Sequence, residues 1–148
     1  MSVSGRTMAL NISPAAAQDE DATIALWRDC GLTVSYNDPA TDFRFARNGA
    51  CSEVLVGKNE AGEILGSVMV GHDGHRGWLY YVSAHPGKQN GGLGRAMVKA
   101  GEDWLRQRGV AKVQLMVRET NTKVVPFYEK LGYEVAPRIV MSRWIDRD

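Results

Sequence analysis

Val82-Ser83-Ala84-His85-Pro86-Gly87-Lys88-Gln89-Asn90-Gly91-Gly92-Leu93-Gly94-Arg95 is the stretch on which the fold turns. Its first residues end an aromatic and β-branched run from Trp78 to Ala84, which reads as a strand. Its last residues open a helix whose apolar stripe is Leu93, Ala96, Met97, Ala100, Trp104 and Leu105, with Gly109 as the stop. Between them lies a glycine-rich turn. Glycine lets backbone N–H groups approach a ligand without side-chain obstruction. The first N–H groups of a helix lack internal partners and carry the positive end of the helix dipole. A turn of this kind suits a pyrophosphate, and it equally suits a bare chain reversal. Two common phosphate loops are excluded. No Gly-Lys-Ser/Thr follows, and Gly92-Leu93-Gly94 lacks the spaced third glycine of a dinucleotide fingerprint.

Working outward, the predicted order is β-α-α-β-β-β-α-β-α-β-β. A short strand runs from Met8 to Ile12 and stops at Pro14. A helix runs from about Gln18 to Cys30, capped by Gly31. A second, short helix starts at Asp38-Pro39, with Asp38 as N-cap and Pro39 in the first helical position, and ends near Asn48-Gly49. Three strands follow as an antiparallel meander: Glu53 to Lys58, Glu63 to Val70 and Trp78 to Ala84. After the long helix come a strand from Val113 to Val117, a helix marked by Val124, Phe127, Tyr128 and Leu131 with Gly132 as its stop, and closing strands at Tyr133 to Val135 and Ile139 to Trp144. The strand–helix–strand passage from Trp78 to Val117 requires a right-handed crossover. The fold class is therefore a mixed, mostly antiparallel α/β sheet with helices on both faces.

The 148 residues suit one domain, expected over 8–148, with 1–7 as a disordered Ser/Gly-rich lead-in. A net charge of +1 gives no whole-protein field toward nucleic acid or a membrane surface. No apolar run approaches the length of a membrane span. The lead-in has no signal-peptide core. Cys30 and Cys51 form no disulfide framework and have no nucleophile-like surroundings, so they read as structural thiols in a reducing cytoplasm. His72-Asp73-Gly74-His75 offers too few ligands for a metal, and none is expected.

Val82 to Pro86 with Gln89-x-x-Gly92-x-Gly94, and Asn121 followed by Phe127-Tyr128-Glu129-Lys130-Leu131-Gly132-Tyr133, resemble the two motif blocks of the GNAT superfamily of N-acetyltransferases. The resemblance spans about Met8 to Trp144. Asn37-Asp38-Pro39 and the 71–77 turn resemble the bacterial YpeA-type branch most. The resemblance implies acetyl-CoA as co-substrate and direct acetyl transfer to an amine, with a small-molecule or peptide acceptor. A homodimer is common among relatives. Residues matching Val82, Ser83 and Ala84 run beside the pantetheine arm. Those matching Gln89, Asn90, Gly91, Gly92, Leu93, Gly94 and Arg95 surround the pyrophosphate, and Asn121 contacts the cofactor further along. The backbone N–H near Val82 is the implied oxyanion donor, and Tyr128 the implied acid. A packed aromatic is the alternative for Tyr128, from its stripe with Val124 and Leu131.

In protein-N-terminus acetyltransferases of this superfamily, a glutamate lies five residues before the asparagine. Here that position is Met116. The departure leaves the base unassigned and admits a non-catalytic acyl-CoA-binding module as an alternative. Asn37, Asp38, His72, Asp73, His75 and Tyr80 are candidates for acceptor contacts, and Asp42 joins His72, Asp73, His75 and Asp38 as a candidate base. Their plainer readings are a helix cap at Asp38 and a hairpin turn at Asp73-Gly74. Strand alternation sends Trp78 and Tyr80 to one face and Tyr81 to the other.

Overall fold

The computed structural model describes residues 10–87 and 92–147. The chain falls into two compact units, Met1–Met116 and Val117–Asp148. In the first unit a five-stranded sheet has the order β1-β2-β3-β4-β5. The strands are β1 (Asn11–Pro14), β2 (Ser52–Lys58), β3 (Ile64–His72), β4 (Gly77–Ala84) and β5 (Val113–Leu115). Neighbours are antiparallel except β4 and β5, which run parallel across the expected crossover. The helices of this unit are α1 (Glu20–Asp29), α2 (Pro39–Ala46) and α3 (Leu93–Gln107). The mixed, mostly antiparallel class with helices on both faces is the one observed.

Boundaries moved where local chemistry competed. The first strand is shifted toward Pro14, which it includes rather than excludes; the expected start at Met8 lies outside the described residues. Proline is tolerated there because β1 is an edge strand. A 3-10 turn, Ala17–Asp19, takes the expected first turn of α1. The stop glycines Gly31, Gly109 and Gly132 all take positive φ, the conformation that ends a helix.

The sheet has two dressed faces. Val54 and Val56 of β2 pack with Ile24 and Trp27 of α1 and Phe43 of α2. On the opposite face α3 lies close against the strands. An added Cβ at Gly57 or Gly66 would meet Met97 of α3, and one at Gly101 of α3 would meet Leu79 of β4. Missing side chains on both sides thus let helix and sheet approach, and Met97, fully buried, fills the space over two glycines.

The second unit holds a 3-10 segment, Glu119–Val124, and α4 (Val125–Lys130). The strands expected at Tyr133 to Val135 and Ile139 to Trp144 do not form: no strand is assigned among the described residues after 132. Their side chains stay out, with Val135 73% exposed and Ile139 and Met141 both 91% exposed. Pro137 removes a ladder donor at the centre of this stretch. Local apolar content raised the strand expectation, whereas strand formation needs a partner edge.

Met97→Ala should cost about 2–5 kcal/mol in urea unfolding, at the upper end of that range, because the facing glycines have no side chains to close the cavity.

Candidate active site

The parallel pairing of β4 with β5 covers only Gly77, Trp78 and Leu79. Strand β4 continues through 80–84 after β5 has ended at Leu115. The two strands therefore part, leaving the β5-side edge of 80–84 without that neighbour. This is the segment that holds Val82, Ser83 and Ala84. An extended ligand can add to such an edge through backbone hydrogen bonds.

A bulge interrupts β4 on its other side. Ser83 pairs with Ser67 and Tyr80 with Met69, so Tyr81 and Val82 together stand opposite Val68 alone. Tyr81 has φ +51. A left-handed conformation costs an L-residue roughly 1–2 kcal/mol, and such strain concentrates where surroundings enforce it. Here the Tyr81 ring stacks on Trp27 at 3.9 Å between centroids and 10° between planes. The Tyr81 hydroxyl donates to Asp42 Oδ2 at 2.7 Å. Trp27 is fully buried and donates through Nε1 to Ser67 Oγ at 2.8 Å. Ser83 Oγ lies 3.1 Å from Ser67 Oγ. The alternation expected for β4 is therefore corrected. Tyr81 packs on the α1/α2 face, because the extra residue of a bulge resets which way the next side chain points.

Downstream, His85 N donates to the Leu65 carbonyl at 2.7 Å, and Gly87 N donates to His85 Nδ1 at 3.1 Å. Gln89, Asn90 and Gly91 lie outside the described residues. Gly92 is the N-cap of α3, with φ +81. Among the described residues the helix start has no side-chain cap, and its first turn, formed by Leu93, Gly94 and Arg95, holds no acidic residue. Both features favour an anion over a carboxylate cap at this end. Cys30 Sγ donates to the Ala84 carbonyl at 3.1 Å, and burial pushes its pKa up, away from a reactive thiolate.

The acceptor-side candidates do not form one cluster. Asp38 caps α2, accepting from Ala40 N at 3.1 Å and Thr41 Oγ1 at 2.8 Å. Asn37 precedes it, its N–H bonded to the Val34 carbonyl. Tyr80 stands on the α1/α2 face near Trp78, with ring centroids 6.4 Å apart, and is half exposed. Burial, then the Asp73 charge, raises its pKa. His72 faces the other way. Its ring lies 6.3 Å from that of Trp104 on α3, so it shares no face with Tyr80. Asp73 closes the hairpin turn, accepting from His75 N at 2.8 Å and Arg76 N at 2.7 Å, bonds that hold its pKa down. His75 lies in the same turn. That turn and Val82 are at opposite ends of β4, about 16 Å apart at the strand rise. The Trp27–Tyr81–Asp42 arrangement escaped sequence reasoning because its three members are remote along the chain.

In the second unit, Asn121 interrupts the 3-10 segment with φ −125 and ψ 38. Tyr128 is on α4, in edge contact with Phe127 at 4.9 Å and Tyr133 at 5.8 Å. Burial pushes its phenol above the ordinary value, so it keeps its proton at neutral pH.

The model of the Acetyltransferase (GNAT) family matches residues 16–133. The chain belongs to the GNAT acetyltransferase family. It is 41% identical over 130 residues to an acetyltransferase of Pectobacterium atrosepticum, covering 88% of this chain and 92% of that one. Among solved structures, glucosamine-6-phosphate N-acetyltransferase from Arabidopsis thaliana aligns with a TM-score of 0.70 at 25% identity, over 93% of this chain and 99% of that one. AAC(6')-Iy in complex with the bisubstrate analog CoA-S-monomethyl-acetylneamine aligns with a TM-score of 0.77 at 14% identity, over 92% and 98%, a likeness of fold. This GNAT protein is thus an acetyl-transferring enzyme. Acetyltransferases of the family use acetyl-CoA as co-substrate. Met116 follows β5 directly and is 51% exposed.

The hydrogen bonds from Thr41 and Ala40 lower the Asp38 pKa, so its cap contributes stability above the unfolded carboxylate pKa and loses it as pH falls through the lowered value. Asp38→Asn, which still caps without titrating, should show a smaller drop in thermal midpoint between neutral and acid pH than the parent.

Proposed function

We propose that this enzyme moves the acetyl group of acetyl-CoA to a primary amine by direct attack, with both substrates bound. The observation that carries the reading is the conjunction on one β–α passage. The edge of β4 left by β5 is followed by a helix start free of acidic side chains. The thioester arm lies along Val82, Ser83 and Ala84, and the pyrophosphate meets the turn from Gln89 to Arg95, with Asn121 contacting the cofactor beyond it. The family match runs from 16 to 133, across both compact units, and supports one acetyltransferase domain.

The amine nitrogen attacks the thioester carbon, and the carbonyl oxygen gains charge. The Val82 backbone N–H, at the bulge, stabilises that oxygen. Collapse breaks the C–S bond, and Tyr128 gives its proton to the departing sulfur. An alkyl amine of pKa ~10.4 must first lose a proton to water, at a cost on the order of 4–5 kcal/mol at neutral pH; after attack the nitrogen sheds a second proton through water, and solvent returns a proton to the Tyr128 phenolate. Orientation of the two substrates offsets several kcal/mol of the barrier. The acceptor is a small-molecule or peptide amine, and Asn37 and Tyr80 flank its approach from the α1/α2 face. The 37–39 and 71–77 segments support the YpeA-type branch. Free thiols at Cys30 and Cys51 suit the cytoplasm.

Release of free CoA thiol from acetyl-CoA in the presence of an amine panel tests the activity; no release above the amine-free rate for any amine would refute it. Gly92→Val should weaken CoA binding in calorimetry, since Gly92 has φ +81 and a branched side chain forces the turn to rearrange. Unchanged affinity would count against the phosphate placement. Tyr128→Phe should lower kcat by roughly 10²-fold, within the range of general acid catalysis, with CoA affinity unaltered. An equal loss of affinity would make Tyr128 a packing residue.

A further inference from the structure

Tyr81 is an aromatic residue in a backbone conformation that aromatic residues avoid, in the middle of a strand. Two independent restraints meet on it. The first is its stack on Trp27, itself fully buried and tied to β3 through Ser67. The second is its hydrogen bond to Asp42 on α2. That helix is in turn fixed to α1, where Arg44 Nε and Nη2 each donate to Glu20 at 2.8 Å. A ring filling a core needs only the stack. The hydroxyl–carboxylate bond adds a defined rotation of the ring and hence of the backbone that carries it. Bulges of this kind re-aim the groups beside them, and the neighbour here is Val82.

We propose that Tyr81 and Asp42 are positioning residues, holding the β4 bulge at the rotation that aims the Val82 N–H at the acetyl carbonyl. The proposal rests on the reading of Val82 as oxyanion donor. It also gives Asp42 a role other than base: its Oδ2 is engaged by the phenol and restrains the strand, and it does not meet the incoming amine.

Acetyl-CoA labelled with a heavy isotope at the carbonyl carbon provides an acceptor-free readout. A hydrogen bond to that oxygen lowers the carbonyl stretching frequency, which infrared difference spectroscopy reads on the bound molecule. In the parent protein the frequency should fall on binding. Tyr81→Phe and Asp42→Ala should each lose most of that fall, while CoA affinity by calorimetry stays at the parent value. Asp42→Asn, whose amide oxygen still accepts from the phenol, should retain it. Tyr81→Phe keeps the ring on Trp27, so its folding is not in question. A full fall in Tyr81→Phe and Asp42→Ala would overturn the proposal while leaving Val82 as donor. No fall in the parent, with binding shown by calorimetry, would instead remove the Val82 reading and the proposal with it. Loss in Asp42→Asn equal to Asp42→Ala, with Tyr81→Phe normal, would mean that Asp42 acts through its charge, also overturning the proposal.

Discussion

Among the described residues, β5 pairs with β4 along Gly77 to Leu79 and goes no further, while β3 follows β4 through a bulge to Ala84, and the proposed chemistry depends on that constraint. A backbone edge inside a protein must find partners. In the proposed reading, an extended arm adds to β4 beyond the end of β5, and the start of α3 at its N-cap Gly92, eight residues after β4 ends at Ala84, meets the anionic head.

Keeping that edge in place takes packing from both sides. On one face, α3 approaches the sheet through Gly57, Gly66 and Gly101, and Met97 and Leu79 fill the resulting contacts. On the other, Trp27 and Phe43 cover β2 and β3, and Trp27 reaches across to stack on Tyr81. The bulge thus has a rigid floor and a tether to α2. Strain at Tyr81 is offset by this packing, in a segment where a relaxed strand would continue a regular ladder.

Much of the local structure was legible in the chain. The stripe from Leu93 to Leu105, the stops at Gly31, Gly109 and Gly132, and the Asp38-Pro39 start are local signals, and each is found within a few residues of its expected place. The glycine turn and the Phe127–Tyr133 block resemble the GNAT family in the sequence itself, and the family match over 16–133 bears that out. The acceptor-side candidates were proposed together, and the structure spreads them apart. His72, Asp73 and Tyr80 are close in sequence, yet His72 turns to α3, Asp73 closes a turn and Tyr80 stands on the opposite face. Residue type alone carried no information on which face each would meet.

What the sequence by itself determined is what neighbours along the chain decide: periodicity, caps and turn chemistry. Tertiary structure alone decided whether a strand-like run finds an edge, as the exposed residues at 139–141 did not, and how far β5 follows β4. It alone joined Trp27, Asp42 and Tyr81, since a bulge depends on register with a partner strand and a stack depends on a helix far away in the chain. Those are pairings between distant segments, and no local propensity encodes them.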